Sequence, residues 1–320
     1  MGGSTAVDRG MSAGGVPGCC YCRSVSPHVT VVIPTHTGGP YVREAVASVR
    51  SQTFDDWEIK IVCDGCDDQM SDLTPDPRIE VIYQKQSGVA IARNVGFRAS
   101  SGRLITFLDH DDIMHPEKLE AQVAMFDQDP AIGLCHTQFE QVDVERRFLV
   151  AGHGADIQYD DVLQCRYSML ISTALVSREA MESVGGFDPK SQAEDIDFVL
   201  KVSRAFRLAF VPQVLLQYRR HSVNVSGDPW VQFREVDYVL RGYRRYLQNI
   251  GEHDSLALLD RGRVNNRRTN AEIAILRARS VDHFDAAGVR TVAKYVALAF
   301  FLSPPVVRAN AREFLASKLG

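Results

Sequence analysis

The chain has 320 residues, 45% hydrophobic and 24% charged, enough to bury the core of one sizeable domain with an appendage, which excludes a small disulfide-held scaffold. Lys and Arg number 36 against 40 Asp and Glu, a net charge of −4 with a pI near 6.1, so no overall basic field exists to hold nucleic acid, and nucleic acid is not expected as a partner. The charge is uneven: residues 231–320 carry 15 cations and 9 carboxylates, a net +6, against −10 for residues 1–230.

Residues 1–28 are rich in Gly and Ser, lack the apolar run of a secretory signal and read as a flexible leader. Seven cysteines, at positions 19, 20, 22, 63, 66, 135 and 165, form an odd, scattered set, which points to a reducing compartment and a cytoplasmic protein. Cys19, Cys20 and Cys22 are read as bystanders of the leader.

From residue 29 short apolar runs alternate with helical periodicity, the signature of an open α/β sheet. Residues 29–33 (VTVVI) are β-branched and stop at Pro34, a strand entering a loop. A helix is predicted over 41–50, a strand over 58–63 closed by Asp64-Gly65, a strand over 79–83, a helix over 89–99 and a strand over 104–108. Pro116 then opens a helix to about Phe126. In such sheets ligands bind beyond the carboxyl ends of strands, and there the sequence places Pro34-Thr35, Asp64 and Asp109-His110-Asp111-Asp112.

Beyond Gln141 the periodicity weakens until Gly185-Gly186-Phe187-Asp188 and an acidic helix start at Glu194-Asp195. From Trp230 onward long helical spacing with Arg-rich faces predicts a helical appendage. It reads either as a cap on the sheet or dimer face, or as a basic amphipathic element lying on an anionic membrane. The longest apolar stretch, 292–307, is broken by Lys294, Ser303, Pro304 and Pro305 and is too short to span a bilayer.

The run LITFLDHDD, residues 104–112, carries the most chemistry. An apolar strand delivers three carboxylates into one loop, and carboxylates so close repel one another unless a cation or protons relieve them. Oxygen donors of this kind suit Mg²⁺ or Mn²⁺, held by a few carboxylates with water and substrate phosphates. The opposing reading is a solvated acidic turn ahead of a helix. His110 is expected to point away from the carboxylates.

Three blocks in order, VTVVIPTHTGGPYVREAVASVRSQTFDDWEIKIVCDGCDD, QSGVAIARNVGFRASSGRLITFLDHDDIMHPEKLE and GGFDPKSQAEDIDFVLKVSR, resemble the family 2 glycosyltransferases of GT-A fold. The resemblance covers residues 29–226. It implies a nucleotide-binding open sheet flanked by helices and an inverting, metal-dependent transferase that moves one sugar from a nucleotide diphosphate sugar to an acceptor hydroxyl. UDP is the base that family frequency implies. On this basis residues 29–140 form the nucleotide-sugar part, 141–229 the acceptor and catalytic part, and 230–320 the helical extension.

Carried over residue by residue, the resemblance implies that Pro34 and Thr35 line the nucleotide and that Asp64 recognises the base. Arg93, in Ala92-Arg93-Asn94, reaches phosphate or ribose, or else pairs with a carboxylate of the body. Asp109 contacts ribose or the metal, Asp111 ligates Mn²⁺ or Mg²⁺ directly, and Asp195 is the base that takes the acceptor proton, with Glu194 as its alternative. His221 matches a late histidine that approaches metal or diphosphate, and Arg219 and Arg220 beside it would attract phosphate. Two departures stand out: Cys63 replaces the first carboxylate of the usual acidic pair, and Cys66 replaces the usual Ser. Both are read as merely occupying those positions.

The Gln-x-x-Arg-Trp motif of processive synthases is absent, since Gln217 is followed by Tyr-Arg-Arg-His. A sugar nucleotidyltransferase would need a basic Gly-rich loop after the first strand, and no basic residue precedes Arg43 there. A non-catalytic nucleotide-sugar module and a membrane adaptor are the remaining alternatives. The expected acceptor is a glycan, a lipid-linked saccharide or a small molecule, with peripheral membrane contact and a homodimer both left open.

Overall fold

The structure, a computed structural model, describes residues 28–310 except 69, 153, 167–168, 192, 222–227 and 282–285. The expected leader, with Cys19, Cys20 and Cys22, lies outside the described residues. Strands β1 (Val29–Thr35), β2 (Trp57–Asp64), β3 (Ile79–Gln84) and β4 (Leu104–Phe107) run parallel in the order β3-β2-β1-β4. Helices α1 (Gly39–Arg50) and α2 (Val89–Ala99) make the crossovers after β1 and β3.

Strands β1 and β4 are buried throughout and read as apolar runs because both faces are covered, whereas β2 carries half-buried Glu58 and Lys60 and the edge strand β3 exposes Glu80 and Tyr83. Val29, Val31 and Ile33 of β1 enter one core cluster with Val42, Val46 and Val49 of α1, while Val32 enters a second with Ala90 and Ala92 of α2. Helix α1 starts two residues before its expected position, since Gly38 and Gly39 take positive φ (64° and 80°) and Pro40 occupies its first turn. Helix α3 (Lys118–Gln128) starts two residues after Pro116 and packs on the α1 side through Leu119, Val123 and Phe126.

The sheet continues beyond β4 with mixed polarity. Strands β5 (Ile113–Met114), β6 (Ile132–Val142), β7 (Phe148–Ala151), β8 (Leu175–Ser177) and β9 (Arg207–Arg219) extend the order as β4-β8-β6-β9-β5, with β7 paired to β6. Helices α4 (Tyr159–Leu163), α5 (Arg178–Val184) and α6 (Glu194–Ala205) lie along this part of the chain, and the β6–β9 pairing is parallel with register shifts. Met181 of α5 and Phe198 and Leu200 of α6 join the α2-side cluster, so α6 is anchored from below and offers its first turn to the strand ends.

Three long helices follow: α7 (Pro229–Ile250), α8 (His253–Arg279) and α9 (Ala286–Leu302). Asp228 caps α7 by accepting from Trp230 N at 2.8 Å, and Gly251, left-handed at φ 75°, ends it. Val239, Leu240 and Leu247 of α7 and Leu259 of α8 pack into the α2-side core, and Gly262 lets α8 approach Leu163 of α4. Helix α9 instead joins a separate cluster with Phe233, Ala271, Ala274 and Ile275.

Candidate active site

The carboxyl ends of β1, β2 and β4 present the residues singled out above. Thr35 is buried, and its Oγ1 accepts from Gly38 N at 3.0 Å, folding the Pro34-Thr35 turn back on itself. Gly38 is required there, because a Cβ would sit 2.5 Å from Asp68 Cβ in addition to the positive φ. Asp68 in turn accepts from Gly39 N at 2.9 Å and pairs with Arg43 at 2.8 Å.

Asp64 ends β2 almost completely buried. Its Oδ1 accepts from Gln84 Nε2 and Ser87 N, both at 2.7 Å, and its Oδ2 accepts from Gly88 N at 2.8 Å. The carboxylate thus orders the loop that leads into α2. Cys63 and Cys66 stand side by side and bracket Asp64 and Gly65, their Cα atoms 5.5 Å apart.

The loop after β4 separates its carboxylates by environment. Asp109 N donates to Ser172 Oγ at 3.1 Å, and Asp109 Oδ1 accepts from Arg93 at 2.8 Å. Asp111 Oδ2 lies 2.8 Å from His221 Nε2, joining the acidic loop to the segment after β9. Asp112 is buried and accepts from Arg219 N at 3.3 Å. Burial, then the neighbouring Asp111 and Asp109, hold its carboxyl well above the usual range. His110 points instead to the β1 loop, its ring 5.6 Å from that of His36 and its Nε2 3.5 Å from Thr37 Oγ1, and burial lowers its pKa.

Arg93, only 4% exposed, joins the two halves of the site. One terminal nitrogen donates to Asp109 and the other to Glu194 of α6, each at 2.8 Å, and the guanidinium lies 5.4 Å from the Phe187 ring. Of its two open readings the structure shows pairing with body carboxylates. Asn94, beside it, clamps the segment before α6: its Nδ2 donates to Phe187 O at 2.7 Å and its Oδ1 accepts from Phe187 N at 2.9 Å. Gly186 makes this approach possible, since a Cβ there would meet Asn94 Oδ1 at 2.5 Å.

Asp195 sits in the first turn of α6, where its Oδ1 accepts from Ile196 N at 2.8 Å. Close packing, then the adjacent Glu194, push its carboxyl up to about 6 against the opposing pull of Arg93. A carboxylate with that pKa is ionised at neutral pH and still basic enough to accept a proton. Asp197 faces away, paired with Lys201 at 2.6 Å.

Arg219 corrects one expectation. Rather than attracting phosphate, it is 1% exposed, with Nε donating to Asp111 O at 3.1 Å, one terminal nitrogen to Val144 O at 3.0 Å and the other to Glu44 at 2.5 Å. Its guanidinium lies 4.4 Å from the Tyr41 ring, and Tyr41 also stacks with His221 at 5.9 Å. The buried cation therefore shapes the backbone that carries Asp111. Ser172, Asn94, Glu44 and Tyr41 were not singled out for such roles in the sequence; each acts through a partner more than 60 positions away, and the only local signal for Asn94 is its place beside Arg93.

Among the described residues no three His, Cys, Asp or Glu side chains converge as a ready metal cluster. The Asp111–His221 pair offers one carboxylate and one imidazole, a donor set that fits Mn²⁺ or Mg²⁺ completed by water and diphosphate oxygens. Asp109 enters the same loop with one oxygen committed to Arg93.

Comparisons with known proteins bear on the family and the fold. Residues 30–181 match the family described as glycosyl transferase family 2. An uncharacterized glycosyltransferase of Rickettsia prowazekii is 25% identical over 232 residues, 69% of this chain and 73% of that one. TuaG of Bacillus subtilis, whose name assigns it to teichuronic acid biosynthesis, is 25% identical over 229 residues, covering 68% and 89%. A larger Rickettsia bellii glycosyltransferase is 34% identical over 125 residues, 38% of this chain but 18% of that protein. Among solved structures, Staphylococcus aureus TarS 1–349 in complex with UDP-GlcNAc aligns with a TM-score of 0.52 at 15% identity, covering 90% of this chain and 79% of that one. The mannosyltransferase PcManGT of Pyrobaculum calidifontis, in complex with GDP-Man and Mn²⁺, aligns with a TM-score of 0.55 at 18% identity, covering 92% and 86%. At these identities the two structures speak for the fold alone.

Proposed function

From the match of residues 30–181 to glycosyl transferase family 2, we propose that the chain is a member of that family and transfers one sugar, with inversion, from a nucleotide diphosphate sugar to an acceptor hydroxyl. UDP is the proposed base; TarS is solved with UDP-GlcNAc and PcManGT with GDP-Man. The acceptor is a glycan, a lipid-linked saccharide or a small molecule, and the reaction is assigned to the cytoplasm.

One observation carries the reading: the Arg93 guanidinium holds the acidic loop after β4 and the first turn of α6 together, through Asp109 and Glu194. The donor end and the proton-accepting end of a displacement thereby share one cleft. In the proposed reaction Pro34, Thr35 and Asp64 receive the nucleoside, while Asp109 and Asp111, with His221, face the diphosphate. The acceptor oxygen bonds to the anomeric carbon as the bond to the nucleotide diphosphate breaks, and Asp195 takes the acceptor proton. One carboxylate suffices, because inversion needs no covalent intermediate. Asp111 and His221 would hold Mn²⁺ or Mg²⁺, which would supply charge neutralisation at the departing diphosphate.

Slow donor hydrolysis, with water as acceptor, tests this without a known acceptor. Nucleotide release from UDP-, GDP- and dTDP-sugars with Mn²⁺ is measured for the wild type and Asp195→Asn. Loss of general-base catalysis lowers turnover by about 10²–10⁴-fold, with the Kd for the nucleotide unchanged. A variant that keeps its turnover, or that loses nucleotide binding in the same proportion, contradicts the assignment.

A further inference from the structure

Helix α9 buries one face and leaves the other in solvent. Ala299 and Leu302, with Val306 just beyond, pack on Phe233 of α7 and on Ala271, Ala274 and Ile275 of α8. The outward positions, recurring at helical spacing, include Val289, Arg290, Lys294, Phe300 and Phe301, and Arg308, beyond the end of the helix, is also exposed. Phe300 is 55% and Phe301 70% exposed. Trp230, 37% exposed in the first turn of α7, lies 5.9 Å from Phe301 and extends the aromatic patch. Exposed aromatics grouped in this way mark a contact surface.

The charge around the patch selects the partner. Residues 286–310 contain three cations, Arg290, Lys294 and Arg308, and no carboxylate, within the net +6 of residues 231–320. Among the described residues Lys294 pairs with Asp228 at 3.4 Å, both side chains in contact with water, a pair that water screens to little. A second copy of the same face would set cations against cations. An anionic lipid surface instead accepts the phenylalanines and the indole at headgroup depth, while the long Arg and Lys side chains reach the phosphates. Among the described residues no helix is long and apolar enough to cross a membrane.

We propose that the outward face of α9, with Trp230, docks the protein flat on an anionic bilayer. This inference is independent of the transferase reading, since it uses no residue of the strand-end cleft.

The test is vesicle co-sedimentation of the full chain on phosphatidylcholine alone and on phosphatidylcholine with phosphatidylglycerol. The wild type binds the anionic vesicles, less so at high salt, and scarcely binds the neutral ones. Phe300→Ser with Phe301→Ser weakens partitioning at least about ten-fold, and Arg290→Gln with Lys294→Gln weakens it by a similar factor. Only Trp57 and Trp230 fluoresce as indoles in this chain, and Trp57 is 3% exposed, so a blue shift on adding vesicles reports Trp230. Far-UV melting verifies that each variant is folded, and if the serine variant is not, the glutamine variant decides. Equal binding to both vesicle types, binding retained in a folded variant, or a wild-type dimer that the serine substitutions dissociate without loss of vesicle binding would each overturn the proposal.

Discussion

Replacing Arg93 by Met keeps a long apolar stem against Phe187 and removes the charge that two carboxylates share. Glu194 is left partly buried without its partner, and Asp109, whose side chain is 36% exposed, recovers part of its loss from water. Breaking a buried pair by deleting one partner costs about 3–5 kcal/mol; the exposure of Asp109 places this case near the lower end, about 3 kcal/mol. In a chain of this size that lowers Tm by several degrees. The same deletion withdraws the charge that opposes the elevated pKa of Asp195, which stands at about 6, so that pKa rises further. Turnover requires ionised Asp195 and is lost as pH falls through its pKa, so the acid limb of the rate profile moves to higher pH. Arg93→Met with Glu194→Gln removes both members of the more buried pair and recovers part of the Tm. Donor-hydrolysis rates across pH, with calorimetry, measure both effects. An unshifted limb with an unchanged Tm refutes the bridging role, and loss of nucleotide affinity alone returns Arg93 to a donor contact.

Lys118 is buried with Nζ donating to Gln122 Oε1 at 2.8 Å, and burial pushes its pKa down from 10.5 to about 7. Below about pH 7 both folded and unfolded chains hold the proton and the burial cost is fully present; stability therefore rises between about pH 7 and 10.5, and Lys118→Met removes that rise in pH-dependent denaturant titrations. Asn94→Ala strands the Phe187 N–H and C=O and costs about 2–4 kcal/mol, with kcat falling because the first turn of α6 is no longer held. Gly186→Ala, which drives a methyl into Asn94 at a positive φ, is expected to mimic it in both Tm and kcat.

The parallel half of the sheet was legible because β1 and β4 are buried on both faces and read as apolar runs, while β2 alternates Trp57, Ile59 and Ile61 with half-buried Glu58 and Lys60, and all three lead to polar residues. Thr35, Asp64 and Asp109 stand at or directly after those strand ends in the structure, where the spacing put them. The half from β5 to β9 was not legible: β5 and β8 are two and three residues long, and β9 is interrupted by Pro212 with shifted register, so no window carries a clear period. Arg219 misled for a related reason. Beside Arg220 and His221 it looks like part of a basic strand end, and only the tertiary approach of Glu44 and Tyr41 shows that its charge is consumed inside. The Asn94–Phe187 clamp spans 93 positions, beyond the reach of any local pattern.

The most direct test of the nucleotide-sugar site is a thermal-shift panel of UDP, GDP, dTDP, CDP and ADP, each with and without Mn²⁺, on the wild type and Asp111→Asn. A ligand at a hundred times its Kd stabilises by about 2.7 kcal/mol, so one nucleotide raises Tm in the presence of Mn²⁺ and loses most of that effect in Asp111→Asn. No shift with any nucleotide, or a shift that ignores both Mn²⁺ and Asp111, would contradict the site.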